Sequence, residues 1–112
     1  MTQQLFDTNV EMELTVYIGK NRHNNWELID RANENDVWFH IVDQPSRHVI
    51  LSLPDQITYK QISKQTLQHC ARLCITKKTT ALTTIMYTEI RYVIKAKEIG
   101  SVYTSHTRNI CV

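Results

Sequence analysis

The chain has 112 residues, 42% of them hydrophobic and 21% charged, which suits one globular domain with a modest core. Its net charge of +2 conceals an asymmetry: four basic residues meet nine acidic ones over residues 1–59 (net −5), and nine meet two over residues 60–112 (net +7). There is no apolar run of about eighteen residues, which excludes a hydrophobic membrane-spanning helix, and three cysteines make no disulfide framework, so the chain is expected to be reduced, intracellular and cytoplasmic.

Residues 1–11 are mostly polar, lack the basic-then-apolar pattern of a secretory leader, and are expected as a flexible arm ahead of a domain over 12–112. Met12–Ile18 alternates Met12, Leu14, Val16 and Ile18 with Glu13, Thr15 and Tyr17, a half-buried strand ended by Gly19. Lys20, Asn21 and Arg22 form a polar turn. Asn25–Ala32 follows as a short helix, with Leu28, Ile29 and Ala32 at helical spacing and Asn24 or Asn25 as its N-cap.

The most informative stretch is Asp36-Val37-Trp38-Phe39-His40, returned through Asp43–Ser46 to Arg47-His48-Val49-Ile50-Leu51. An antiparallel hairpin here puts Val37, Phe39, Ile41, Val49 and Leu51 on one face and Trp38, His40 and His48 on the other, beside Arg47. A longer helix is expected from Ser63 to Thr76. Ser63 is its N-cap, Leu67, Cys70, Ala71 and Cys74 form its apolar stripe, and Lys77 and Lys78 follow its end. Strands are expected at Leu82–Tyr87, Arg91–Lys95, Ser101–Tyr103 and Asn109–Val112, with Gly100 in a turn. The sum is a single α+β domain: a mixed, mainly antiparallel sheet with two helices.

Several chemistries fit the Trp38 face. Cys70 and Cys74 lie four apart on a helix but fall on its apolar stripe, so they are read as core. His40 and His48 could ligate a metal, yet only Asp36 and Asp43 are near to complete the set; no metal or cofactor is assigned. The same histidines could act as acid and base on a phosphodiester. They could also be hydrogen-bonded structural groups, and Trp38 could be a ring packed under the first helix. The binding reading offers Trp38 for stacking, His40 and His48 for hydrogen bonds, and Arg22 and Arg47 for phosphates.

In order and spacing, Gly19-Lys20-Asn21, Asn25-Trp26-Glu27-Leu28, Asp36-Val37-Trp38-Phe39-His40, Pro45-Ser46-Arg47-His48-Val49 and Gly100-Ser101-Val102-Tyr103 resemble the NFACT RNA-binding domain. The resemblance is nearest to short eukaryotic proteins in which this domain stands almost alone, and it spans nearly all of residues 12–112. It implies recognition of nucleic acid: transfer or ribosomal RNA, DNA in some short relatives, and a ribosomal subunit, as in the ribosome-associated quality control factors. A protein adaptor on the ribosome is a further reading. Carried over by position, the binding candidates are Asp36, Trp38, His40 and His48, with Lys20, Asn21 and Asn25. Arg22 and Arg47 join them from the residue reading, and Lys60, Lys64, Lys77 and Lys78 are expected to flank the face. One departure from the family's pattern stands out. Ser46 and Arg47 replace the family's glycine and serine, which removes a residue free to take positive φ. A complete tailing activity is not expected from residues 1–112 alone.

Overall fold

The computed structural model describes residues 1–77 and 79–112; Lys78 lies outside the described residues. Among the described residues, eight strands and two helices run β1 (Thr2–Asp7), β2 (Met12–Ile18), α1 (Arg22–Arg31), β3 (Val37–Ile41), β4 (Val49–Leu51), α2 (Lys64–Arg72), β5 (Thr84–Glu89), β6 (Val93–Lys95), β7 (Val102–Thr104) and β8 (Arg108–Cys111). Six strands form one sheet in the order β1-β2-β4-β3-β5-β8, and β6 and β7 make a separate hairpin. Among the described residues every pairing is antiparallel, so the fold is the expected α+β, with no parallel pair of the kind a mixed sheet would contain.

The register carries the alternation across the sheet. Ile18, Val49, Phe39 and Tyr87 lie in one cross-strand row, and Tyr17, Ile50, Trp38 and Thr88 in the neighbouring row of opposite facing. The first set of faces buries Leu14, Val16, Val37, Phe39 and Ile85 against Cys70 and Ala71 of α2 and Cys74 just beyond its end. The hairpin expectation is met there, and both cysteines are core residues as read.

The opposite face is covered too. Trp38 and Ile50 pack with Ile29 of α1 and with Ile90 and Val93 next to and within β6. The sheet is therefore sandwiched, with α2 on one side and α1 plus the β6–β7 hairpin on the other. Three contacts fasten that second layer. The Trp26 indole N–H donates to the Ser101 carbonyl at 3.1 Å, and Lys95 pairs with Asp30 while lying 5.3 Å over the Trp26 ring.

The N-terminal segment is not the flexible arm the sequence suggested: Thr2–Asp7 pairs along its whole length with β2. The buried Asp7 explains why. Its carboxylate accepts from the backbone N–H groups of Asn9 and Val10 and from Ser63 N–H, Ser63 Oγ–H and Thr66 Oγ1–H at the start of α2. Burial pushes the Asp7 pKa up, but the Thr66 and Ser63 hydrogen bonds outweigh it and hold it at about 2.

Helix bounds also differ from expectation. Ser63 does cap α2, accepting from Thr66 N–H at 3.2 Å, but α2 ends at Arg72. Helix α1 begins earlier than expected, because Asn21 supplies the cap by accepting from Asn24 N–H at 2.8 Å. Residues 90–92 coil into a single tight turn, which delays the strand expected from Arg91.

Candidate nucleic-acid interface

The residues from the Lys20 turn, the β3–β4 hairpin and the Gly100 turn meet at one cleft of about 660 Å³ on the α1 side of the sheet. Lys20, Asn21, Arg22, Asn25, Trp38, His40, Arg47 and His48 all border it. Asp36 does not. Its oxygens accept from Leu53 N–H at 2.9 Å and Asn33 N–H at 2.8 Å, so it ties the end of α1 to the strands. Burial raises its pKa.

Two glycines bring the walls together. A Cβ on Gly19 would lie 1.8 Å from Asn25 Oδ1, so only glycine lets the chain pass the buried Asn25. Asn25 Oδ1 in turn accepts from His48 N–H at 3.4 Å. Gly100 has φ +89°, and a Cβ there would meet Arg22 Cβ at 2.5 Å. The turn therefore presses on the first residue of α1.

The aromatic cluster is mostly structural. Trp38 is fully buried, at 0% exposure, so its ring is not available for a base to stack on as the sequence reading proposed; α1 and the β6–β7 hairpin cover it. Its indole N–H donates to His48 Nδ1 at 3.0 Å. Since an indole N–H can only donate, Nδ1 of His48 must be unprotonated, and the neutral ring carries its proton on Nε2. Burial, together with the charge of nearby His40, pushes His48 down to about 4.

His48 is thus a neutral ring with Nδ1 engaged by Trp38, and it is only 2% exposed. Replacing it with Ala would orphan the Trp38 N–H and leave a cavity.

His40 is different. It stacks on Trp38 at 5.5 Å and meets His48 edge-on at 5.2 Å, but it is partly exposed. Its Nδ1 is 2.6 Å from the Ile41 carbonyl and must donate to it. Burial lowers its pKa, so the neutral ring keeps Nε2 as an acceptor with no partner among the described residues. A two-histidine acid–base pair therefore lacks one free member. Neither acid considered as a completing metal ligand joins the rings: Asp36 is engaged elsewhere, and Asp43 sits exposed in the hairpin turn at φ +59°. That residue, not Ser46, takes the left-handed position a glycine would favour.

Arg47 projects neither wholly into water nor wholly into the cleft. Its Nε donates to the Leu73 carbonyl at 2.6 Å, capping the end of α2. Among the described residues, Lys20, Arg22 and Arg47 have no carboxylate partner, and no Asp or Glu borders the cleft. Among the described residues, the expected flanking lysines lie away from it: Lys60 and Lys64 border a groove with Leu67 on the α2 side, and Lys77 borders another beyond Arg72. The cations here come from the acidic half of the chain. Sequence reasoning missed Met86 and Val102 as cleft residues. Met86 arrives by pairing opposite His40, a non-local match that alternation within one strand does not reveal.

Comparison with known proteins places this geometry. Residues 4–107 match the family model described as the NFACT protein RNA binding domain. The chain is 37% identical over 59 residues to coiled-coil domain-containing protein 25 of Danio rerio, covering 53% of this chain and 28% of that protein. It is 34% identical over 64 residues to the Dictyostelium discoideum homologue, covering 57% of this chain and 31% of that protein. The chain thus spans less than a third of the length of these curated relatives. By structure it is similar to the C-terminal part of the fibronectin/fibrinogen-binding protein from Streptococcus suis, with TM-score 0.77 and 22% identity over 98% of this chain and 44% of that one, a likeness of fold alone. With residues 4–107 matched by its family model, and with the Lys20 turn, Trp38, His40 and His48 meeting at one cleft, the chain belongs to the NFACT RNA-binding domain family.

Proposed function

We propose that this chain is an RNA-binding module that seats structured RNA, of the transfer or ribosomal kind, against the α1 cleft. The observation that carries the reading is the set of three cations, Lys20, Arg22 and Arg47, around a cleft with no bordering carboxylate among the described residues. The N-terminus of α1 adds its dipole there, with no acidic residue in the first turn to oppose it. The His40 Nε2 lone pair can accept from a ribose 2′-hydroxyl, the group that separates RNA from DNA. In this reading the rings under the cleft position His40 and do not stack on bases. A cytoplasmic role on a ribosomal subunit during quality control of stalled chains is part of the proposal, supported by the family and by the charge of the cleft.

The test is a fluorescence-anisotropy titration against transfer RNA, single-stranded RNA and duplex DNA, each at several salt concentrations. RNA should bind more tightly than DNA, and Lys20→Ala/Arg22→Ala should weaken RNA binding while the circular dichroism spectrum is unchanged. Undetectable binding to every RNA at low salt would sink the proposal; DNA bound as tightly as RNA would remove the role given to His40.

A further inference from the structure

A second cleft, of about 400 Å³, lies beyond the first, and β5 contributes to both. Successive β5 side chains point to opposite faces, so Met86 borders the first cleft while Tyr87 borders the second. Tyr87 sits opposite Arg108 of β8. The rings of Tyr59, Tyr87, Tyr92 and His106 surround the space together with Lys60 and Arg108. Tyr59 meets Tyr87 edge-on at 6.1 Å, and His106 stacks on Tyr92 with ring centres 4.0 Å apart. Arg108 Nε donates to the Tyr59 hydroxyl at 2.9 Å, with the guanidinium 5.6 Å from that ring's centre.

Two features separate this cluster from ordinary packing. The first is its charge state: neither Lys60 nor Arg108 has a carboxylate partner among the described residues, and the bordering Glu89 is already paired with Arg91 at 3.3 Å. The second is how His106 is held. It is exposed, yet its backbone sits at φ +56°, a region that few non-glycine residues adopt. The Thr88 hydroxyl pins that turn by donating to the Ser105 and His106 carbonyls at 2.9 and 3.3 Å, and Ser105 N–H donates to the Tyr92 carbonyl at 3.1 Å. The ring is thereby fixed over Tyr92 at the surface, where it adds nothing to either core.

We infer that this second cleft binds an unpaired nucleotide within a nucleic-acid strand. The base stacks against the Tyr92–His106 pair, and the adjoining phosphates meet Lys60 and Arg108. Every base offers a π-face, so the site tolerates different bases and requires only that the segment be single-stranded. It is built from residues apart from the first cleft and stands whether or not that cleft takes RNA.

The test is a titration of the full chain with a labelled uridine or adenosine hexanucleotide, read by anisotropy and by the aromatic proton resonances. The Tyr92 and His106 ring signals should move upfield and saturate. His106→Gly removes the ring while glycine holds the positive φ without strain, and it should weaken hexamer binding about tenfold, the scale of one lost base stack. Lys60→Ala/Arg108→Ala alters only exposed side chains, and it should weaken binding and reduce the salt slope by about 1.4 units. Lys20→Ala/Arg22→Ala should leave the Tyr92 and His106 shifts in place, which separates this site from the first. Unmoved Tyr92 and His106 signals at saturating hexamer overturn the inference, and so does wild-type hexamer affinity in both second-cleft variants, whatever transfer RNA does.

Discussion

At the scale of single residues, His48 ties chemistry to stability. Its pKa falls from the ordinary value of 6.5 to about 4 in the folded chain, so the unfolded chain takes up a proton more readily between those values. Stability is therefore complete above pH 6.5 and is lost as pH falls toward 4. About 2 kcal/mol should be gone by pH 5. Urea unfolding at pH 7 and pH 5, with the His48 ring proton followed by NMR, checks both the size and the owner of the effect. A His48 signal titrating near 6.5 would refute the assignment. Gly19 makes a steric counterpart. Gly19→Ala drives a methyl into Asn25 Oδ1 and disturbs the Asn25–His48 contact. It should cost about 1–3 kcal/mol, with a matching fall in thermal midpoint. An unchanged midpoint would mean that Asn25 has room to move, against its burial.

At the scale of elements, Asp7 joins two pieces that sequence distance separates, the end of β1 and the head of α2. One carboxylate caps the turn after β1 and holds Ser63 and Thr66 at the head of α2, where a negative charge also suits the helix dipole. Its pKa is depressed to about 2, so its contribution is present above the ordinary value of 3.8 and disappears as pH drops through 2. This window lies below that of His48. Asp7→Asn should destabilise the fold at pH 7 by about 2 kcal/mol and flatten the acid limb of the stability curve below pH 4. Chemical denaturation across that range would show it; an Asn variant as stable as the parent would leave β1 without its anchor. The Asp7 contact is also why β1 was unreadable. Residues 1–11 look like a solvated tail until Ser63 and Thr66 are brought to them.

At the scale of the whole molecule, the position of charge matters more than its sum. The C-terminal half carries the excess of lysine and arginine, yet the first cleft draws Lys20, Arg22 and Arg47 from the acidic half. Folding sends Lys60 and Arg108 to the second cleft instead. Three phosphate contacts in the first cleft predict a slope of log affinity against log salt of about −2 to −3. Lys20→Ala/Arg22→Ala should bring it near −1, measurable in the same anisotropy series. A slope near zero in the parent chain would show that the cleft meets no phosphate.

Local pattern alone determined a good deal. Period two divided Val37, Phe39 and Ile41 from Trp38 and His40, Ser63 marked the start of α2, Cys70 and Cys74 declared themselves core, and the turn and strand motifs named the family. These depend on neighbours within one element, which a sequence displays directly. Tertiary structure alone decided what covers the second face. Trp38 became a buried anchor because α1 and the β6–β7 hairpin close over it. His48 became neutral because folding buries it beside His40, with the Trp38 N–H donating to its Nδ1, and Arg47 turned to the carbonyl of Leu73. Burial, hydrogen bonding and pKa all depend on atoms brought in from distant parts of the chain, and no periodicity records their arrival.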